Sequence, residues 1–310
     1  MHGIVTGGAG FIGSHLVDCL VHNNWDVTVI DDCRTGGTHN LQRHLDTRAI
    51  TFLKKDLNDD GWQESFRNAD HVFHLAADPD VKESARDPSA TIRNNFTATV
   101  RVLEAAHHHG IPAIAFTSTS TVYGDAPVIP TPETYGPLAP ISVYGATKLA
   151  SEALIAAYCG TWGMDAQVFR FANIIGSRSN HGVCWDFIQK LRRDPGHLEI
   201  LGDGRQAKSY LEVHACVDAM LHVSGKSPPG YQVFNIGSED WVDVRSIADI
   251  VTREMGLSGV EYRFSGGARG WVGDVPRMLL SIEKVKALGW HPRIGSQESI
   301  RVAVRALLEA

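Results

Sequence analysis

Eight residues near the N-terminus, Thr6-Gly7-Gly8-Ala9-Gly10-Phe11-Ile12-Gly13, constrain this chain more than any other feature. They follow a short apolar run, Gly3 to Thr6, and open a stretch from Phe11 to Asn23 with helical spacing. Glycines at 7, 10 and 13 let the chain turn tightly, let backbone approach a pyrophosphate, and let the helix pack closely on a sheet. The helix N-terminus then offers N–H donors and a favourable dipole to phosphates. The spacing is Gly-x-x-Gly-x-x-Gly rather than Gly-x-Gly-x-x-Gly, and by itself it also suits a plain packing turn. The strand before it and the helix after it favour a dinucleotide site.

The first half of the chain continues this alternation. Asp26 to Ile30, Ile50 to Leu53, His71 to Leu75 and Ile114 to Phe116 read as strands. A long helical stretch runs from about Pro88 to His109, and another from about Val143 to Cys159. Strands alternating with helices predict an α/β fold of the Rossmann type, a doubly wound parallel sheet covered on both faces. The proline-rich segment Pro127 to Pro140 predicts a structured loop over the C-terminal edge of that sheet, because proline blocks helix and central strand alike. Residues 1–166 are expected to form the dinucleotide-binding domain. Strands near 167–175 and 232–236 are expected to rejoin its sheet, and 176–310 to form a smaller mixed α/β substrate region.

Composition excludes several classes. The 310 residues are 43% hydrophobic, enough for a substantial core, and the formal net charge of -6 comes without a Lys/Arg run. Nucleic acid and anionic membrane are therefore poor partners. Cys19, Cys33, Cys159, Cys184 and Cys216 show neither zinc nor disulfide spacing, and read as buried thiols of a reducing compartment. His107-His108-His109 has no further ligands at a suggestive spacing and reads as a polar helix end before Gly110, so no metal is expected. With no signal-like N-terminus and no long apolar segment, the expectation is a soluble cytoplasmic protein.

Asp31 ends the second strand, 18 residues beyond Gly13. A carboxylate there accepts hydrogen bonds from a ribose 2′-hydroxyl and repels a 2′-phosphate, which favours NAD over NADP. Asp32 is a second candidate for that role, although Arg34 stands close by. Asp56-Leu57 follows the third strand, where side chains could meet an adenine ring; Asp56 could equally begin the loop 56–60.

Tyr144 and Lys148 form Tyr-Gly-Ala-Thr-Lys on the second long helix. Four residues advance by about 400°, so both side chains share one face. A phenol ionises near pH ~10, and a neighbouring ammonium together with the positive nicotinamide would favour the phenolate, a usable general base. Upstream, Phe116 to Gly124 closes a strand where ligands collect in open α/β folds, and its hydroxyls could hydrogen-bond a reacting sugar oxygen. The alternative is a Ser/Thr-rich turn bonding its own backbone.

Together, the glycine motif, His74-Leu75-Ala76-Ala77, Ser118-Thr119-Ser120-Thr121-Val122-Tyr123-Gly124 and Tyr-Gly-Ala-Thr-Lys resemble the extended short-chain dehydrogenases that act on nucleotide sugars, and most closely the UDP-glucose 4-epimerases of archaeal type. Later landmarks are Arg170 to Gly176, Gly202-Asp203-Gly204 and Arg269-Gly270-Trp271-Val272-Gly273-Asp274-Val275-Pro276. The resemblance covers nearly the whole chain. It implies that Gly7, Gly10, Phe11, Ile12, Gly13, Asp31, Asp32, Asp56, Leu57, Leu75, Ala76, Ala77, Asn94 or Asn95, Thr117, Tyr144, Lys148 and Ala172 contact NAD. Of the two asparagines, Asn94 is the one carried forward. It implies Tyr144 as base, with Lys148 and Thr119 beside it. Ser118, Thr119, Ser120 and Tyr144 would meet the sugar. Asn173, Val183, Lys208, Tyr210, Arg269 and Asp274 would hold the UDP part, Arg269 suiting a diphosphate by charge and by its fork of donors.

The sequence departs from the family at three places. Asp78-Pro79-Asp80 stands where some members carry a lysine, so that cofactor contact does not transfer. Lys208 stands where an arginine is common. Met278 stands where the residue limiting room around the sugar varies.

Related dehydratases carry Asp-Glu directly after the catalytic threonine, and related decarboxylases carry Glu two places after it. Here those positions are Ser120 and Thr121. By resemblance, the absence of an acid favours epimerisation: reversible inversion at C4 of a UDP-hexose, UDP-glucose and UDP-galactose first, through a 4-keto sugar, with NAD bound throughout. The alternatives are epimerases on UDP-N-acetylglucosamine or UDP-glucuronate, a net oxidoreductase on a nucleotide sugar, and an NAD-sensing protein, for which an intact base would serve no purpose. Family likeness also implies a homodimer formed through the two long helices.

Overall fold

The computed structural model describes residues 1–271 and 273–309; Val272 of the Arg269–Pro276 landmark lies outside them. In chain order the regular elements begin with β1 (His2–Thr6), α1 (Phe11–His22), β2 (Asp26–Asp31), α2 (Gln42–Asp46), β3 (Ile50–Lys54), β4 (His71–His74), α3 (Val81–Arg86), α4 (Pro88–Thr91), α5 (Ala98–His108) and β5 (Ala113–Thr119). They continue with α6 (Val143–Trp162), β6 (Asp165–Phe171), β7 (Asn173–Ile175), α7 (Val183–Arg193), β8 (His197–Ile200), β9 (Ala207–Lys208) and β10 (Tyr210–Glu212). The last are α8 (Val213–Lys226), β11 (Tyr231–Ile236), β12 (Val242–Asp243), α9 (Val244–Glu254), β13 (Glu261–Phe264), β14 (Arg277–Met278), α10 (Glu283–Ala287) and α11 (Ser296–Glu309). Among the described residues no helix is long and apolar enough to cross a membrane.

The chain divides into two compact units. One comprises residues 1–122, 139–170 and 220–234; the other comprises 123–138, 171–219 and 235–310.

The first unit is built on the seven-stranded sheet, in the order β11-β6-β5-β4-β1-β2-β3. β1 pairs in parallel with β2 and β4, β2 with β3, and β4 with β5. The chain therefore lays strands outward from β1 on one side, then returns to β1 and builds on the other. That reversal opens a crevice at the carboxyl ends of β1 and β4, where doubly wound folds bind ligands. Side chains alternate across the sheet. Ile4, Ile30, Val72, Ile114, Phe116 and Val168 share one buried cluster with Val102 and Leu103 of α5 and Ile155 of α6. The doubly wound expectation holds.

Three local readings needed correction. The helix expected over 88–109 is α4, a π-helical turn at Ile92–Thr97, and α5. Nothing in Ile92-Arg93-Asn94-Asn95-Phe96-Thr97 announces the extra residue. It falls where Asn95 reaches sideways to bond the backbone of Asp78, at 2.7 Å to its N–H and 3.1 Å from its carbonyl. Helix α6 runs beyond Cys159 to Trp162, because its stop is Gly163 in the left-handed conformation (φ +74°). Of the five cysteines, only Cys184 and Cys216 are fully buried, while Cys19, Cys33 and Cys159 lie half-buried near element ends; none is in a disulfide.

The second unit carries short strands: β10 with β7, β9 between β12 and β14, and β13 with β8. Its core gathers Phe187, Ile188 and Leu191 from α7, Ile247 and Val251 from α9, and Ile300, Val304 and Leu307 from α11. The proline-rich segment 127–138 belongs here and makes a parallel bridge at Thr131, which exchanges backbone hydrogen bonds of 2.9 Å with Leu279 and Ser281. Thr131 can do this because it lies between Pro130 and Pro132 and keeps its own N–H.

Candidate active site

The glycine turn is tight for steric reasons. Gly7 has φ +74°, and a Cβ on it would lie 2.6 Å from the Ala76 nitrogen. A Cβ on Gly13 would lie 2.1 Å from the Gly7 carbonyl oxygen. The loops after β1 and β4 thus close on each other with no room for side chains. Gly10 sits at the N-cap of α1 with no side chain capping the helix, so the first turn's N–H groups, at Phe11, Ile12 and Gly13, are left for an anion.

Asp31, at the end of β2, accepts from the Ala9 N–H (2.9 Å) and the Cys33 N–H (2.7 Å). Burial pushes its carboxyl up, against the pull of those two donors. A carboxylate has about four acceptor sites, so two remain for ribose hydroxyls. Asp32 and Asp56 instead both pair with Arg34, at 2.9 Å each. Asp56 also accepts from the Asn58 N–H at 2.8 Å, so its carboxylate does begin the loop after β3; Leu57 is buried beside it.

The residues at 36–40 escaped the sequence reading. Gly37 N–H and Asn40 Nδ2 both donate to the Ala9 carbonyl (3.1 and 2.9 Å), and a Cβ on Gly36 would meet that same oxygen at 2.2 Å. The paired glycines 36–37 were the available signal.

Leu75, Ala76 and Ala77 are half-buried after β4. The two asparagines separate clearly. Asn95 is spent on Asp78 and on Thr147 Oγ1 (3.3 Å), whereas Asn94 Oδ1 is buried with no partner among the described residues. A buried polar atom without a partner costs about 1–3 kcal/mol, which suits an atom awaiting a ligand. The close-packed turn, the uncapped helix, Asp31 and Asn94 together fit a dinucleotide.

Helix α6 begins where Ser142 Oγ accepts from the Gly145 N–H at 3.1 Å, and this brings Tyr144 and Lys148 to one face. The Tyr144 hydroxyl faces that of Thr119, the last residue of β5; Thr119 Oγ1 accepts from the N–H and the hydroxyl of Thr121, each at 3.2 Å. Lys148 is buried; its Nζ donates to the Thr117 carbonyl (2.9 Å) and lies 4.7 Å from the Phe116 ring centre. Burial pushes Tyr144 up to about 12, the Thr119 hydroxyl opposing and the Asp78 carboxylate adding to it. Burial pushes Lys148 down to about 7, with Glu152 opposing. The expectation that the ammonium favours the phenolate is thus not met in the protein alone. The lysine is itself desolvated and spends its proton on a carbonyl.

One turn beyond Lys148, Glu152 is buried against Arg170 of β6, at 2.6 Å from its Nη2, with Nε also donating. Ser118 donates its hydroxyl to the same carboxylate. Ser118 was expected to meet the sugar, but its side chain buttresses the ion pair. Ser120 opens the 3-10 turn Ser120–Tyr123 and is half-buried.

The other expected substrate residues lie in the second unit. Asn173 pairs in register with Tyr210 across β7 and β10, and its Nδ2 donates to the Ser209 carbonyl (3.1 Å). Tyr210 is buried, which drives its phenol far up. Val183 is the first residue of α7, whose N-cap Gly182 provides no side chain. Ala172, expected at the cofactor, is buried and donates its N–H to the Ile236 carbonyl at 2.8 Å. Lys208 pairs with buried Asp274 at 2.5 Å and lies 5.1 Å from the Trp271 ring centre. Asp274 also accepts from the Gly270 N–H (2.9 Å) and gives its carbonyl to Arg269. Its carboxylate is thus occupied in shaping the loop. Met278 is buried on β14.

The fold and the Tyr–Lys–Thr group define an NAD-binding α/β enzyme, and comparison with known proteins narrows the class. Residues 4–237 match the NAD dependent epimerase/dehydratase family. A crystal structure of a UDP-galactose 4-epimerase superposes with a TM-score of 0.90 at 40% identity, over 100% of this chain and 99% of that one. The Thermus thermophilus UDP-glucose 4-epimerase in complex with NAD gives 0.88 at 31% identity, covering both chains completely. The Mycolicibacterium smegmatis UDP-glucose 4-epimerase is 32% identical over 98% of this chain and 97% of its own length. The chain belongs to the NAD dependent epimerase/dehydratase family; the resemblance read from its motifs and the cofactor NAD hold with it.

Proposed function

We propose that this protein inverts C4 of a UDP-hexose reversibly, with UDP-glucose and UDP-galactose as the leading pair. The observation that carries the reading is the buried placement of Tyr144 facing Thr119 and beside Lys148, with no carboxylic acid at 120 or 121.

NAD, when bound, accepts hydride from the sugar carbon and returns it to the opposite face of the 4-keto sugar, with no net redox change. Gly7, Gly10, Phe11, Ile12 and Gly13 hold its pyrophosphate, Asp31 its ribose, and Asn94, Thr117 and Lys148 the other end. Tyr144 takes the proton from the sugar 4-hydroxyl, and Thr119 holds that oxygen in place. In the protein alone the phenol lies near 12, so a positive charge close by must lower it for work at neutral pH. Lys148, poised near 7, gains that charge readily when ribose hydroxyls satisfy its ammonium. Asn173, Tyr210, Lys208 and Arg269 keep the UDP part held while the keto sugar turns. The UDP-N-acetylhexosamine and UDP-hexuronate epimerisations need the same Tyr144, Lys148 and Thr119, but also room for an acetamido group in the one and a partner for a carboxylate in the other.

We also propose a homodimer through α5 and α6. His107, Tyr158 and Trp162 form a ring cluster there, with Trp162 left 52% exposed. A cytoplasmic location agrees with five unbridged cysteines.

The test is a product assay by NMR on UDP-glucose, UDP-N-acetylglucosamine and UDP-glucuronate. The expected result is the 4-epimer of at least one, first of UDP-glucose, without NADH accumulation. No 4-epimer from any of the three would refute the proposal, and stoichiometric NADH would point to a net oxidoreductase.

A further inference from the structure

Arg269 does not stand alone in its loop. Its Nη1 and Nη2 grip both oxygens of Asp125, at 3.2 and 2.7 Å, and Nη1 also donates to the Asp274 carbonyl. A guanidinium has five N–H donors in a rigid plane. Three are used here. Nε–H and the second Nη2 hydrogen make no hydrogen bond among the described residues, and those two lie on one edge of the plane. That edge forms a second two-pronged fork of the kind that fits a phosphate.

Asp125 is fixed independently of Arg269. It follows Gly124 (φ +64°) and the buried Tyr123, whose hydroxyl donates to Asn235 Oδ1 at 2.7 Å. Asn235 in turn donates to the carbonyls of Thr131 and Ser281, each at 3.0 Å. Arg269, by contrast, follows the irregular stretch after β13. The anchored partner is therefore the aspartate.

We propose that Asp125 is a positioning residue for substrate binding: it holds one edge of the Arg269 guanidinium so that the other edge is presented to the diphosphate of the nucleotide sugar. This rests on the assignment of Arg269 to the diphosphate made above. The pair is 43% and 46% exposed at its side chains, so it adds little to stability, within about 1 kcal/mol. Its value lies in sparing a long side chain the entropy of finding one pose when the ligand arrives.

The sign of one substitution separates this role from plain charge. Asp125→Asn removes a negative charge beside the diphosphate, so Coulomb attraction alone predicts tighter UDP binding. Positioning predicts weaker binding, about three- to ten-fold, since a bidentate charged grip is lost. The experiment is calorimetric titration of the NAD-loaded enzyme with UDP, together with steady-state kinetics on whichever UDP-sugar turns over. The expected result is that Asp125→Asn raises Kd and KM together, with the loss in KM rather than kcat, and that Asp125→Glu recovers part of it. In an Arg269→Ala background, Asp125→Asn should have no further effect. UDP affinity unchanged or tightened in Asp125→Asn, with Arg269→Ala itself weakened, overturns the positioning role alone. An Arg269→Ala enzyme that binds UDP normally overturns the diphosphate assignment on which it rests.

Discussion

At the scale of single residues, Tyr144 decides what kind of protein this is. Its hydroxyl faces Thr119 within a desolvated group that includes a buried lysine, an arrangement that costs stability and has no use in a protein that only senses NAD. Tyr144→Phe removes one oxygen and leaves the glycine turn, Asp31 and Lys148 in place. Turnover should fall by at least about 10²-fold, the usual share of a general base, while NAD, measured by release on denaturation, stays near one per chain. Turnover within a few-fold of the parent enzyme would remove Tyr144 from the chemistry. Much of this was legible in the sequence, because Tyr-x-x-x-Lys needs only helical geometry to converge. What was not legible is where spare hydrogen-bonding capacity ends. Ser118 and Asp274 are in the right places in the chain, yet both are committed to protein partners. Asn94 and Asn95 are adjacent and chemically identical, and only the π-helical turn separates the pinned one from the one with an unpartnered oxygen.

Among elements, β4 is held by an imidazole. His74 is fully buried between Thr6 Oγ1 of β1 (2.7 Å) and Thr99 Oγ1 of α5 (2.9 Å), so one side chain ties sheet to helix just before the Leu75–Ala77 loop. Thr99 spends its proton on the Asn95 carbonyl (2.6 Å) and so accepts from Nε2–H, which leaves Nδ1 to accept from the Thr6 hydroxyl in a neutral ring. Burial, with the Lys148 charge adding to it, holds His74 down to about 3, and burial holds His71 on the same strand down to about 4. Both lie below the ordinary value of 6.5. Between each folded value and 6.5, the unfolded chain binds a proton that the folded chain does not. Their contribution is therefore complete above pH 6.5 and is lost as pH falls, by up to about 1.4 kcal/mol per pH unit for each ring. His74→Gln can still bridge two hydroxyls and takes up no proton. Urea unfolding at pH 6.5, 5.5 and 4.5 should show a markedly shallower loss of stability in the variant; equal slopes would mean His74 is not a buried neutral ring. Strand β4 was visible as an apolar run, but that His74 is structural was not, because its partners lie 68 and 25 residues away and in no motif.

Over the whole molecule, the alternation of strands and helices predicts the parallel sheet well because each βαβ unit is local in sequence. The division of the chain is not local. The first unit takes residues 139–170 and 220–234 after the chain has left it at 122, so it has no continuous span. Both β6 and β11 cross a boundary between units, as does α8. The expectation closes the continuous span at 166 and brings strands near 167–175 and 232–236 back to its sheet; a fragment that simply ends at 166 cuts through β6, which begins at Asp165, and lacks β11. It also separates Glu152 from Arg170, leaving a buried carboxylate without its two-pronged partner, a loss of about 3–5 kcal/mol when one member of such a pair is removed. Strand β5 would become an unprotected edge beside Phe116 and Ile114. A stability of order 5–15 kcal/mol does not absorb these losses together. The fragment 1–166, although it carries the glycine turn, Asp31, Tyr144 and Lys148, should therefore fail to fold: it should aggregate or bind ANS, unfold without a cooperative transition, and hold no NAD. The decisive comparison is with the full chain by circular dichroism melting and NAD content. A soluble fragment with a sharp transition and bound NAD would show that β6 and β11 only border the dinucleotide unit, and that the continuous span suffices without the two returning strands.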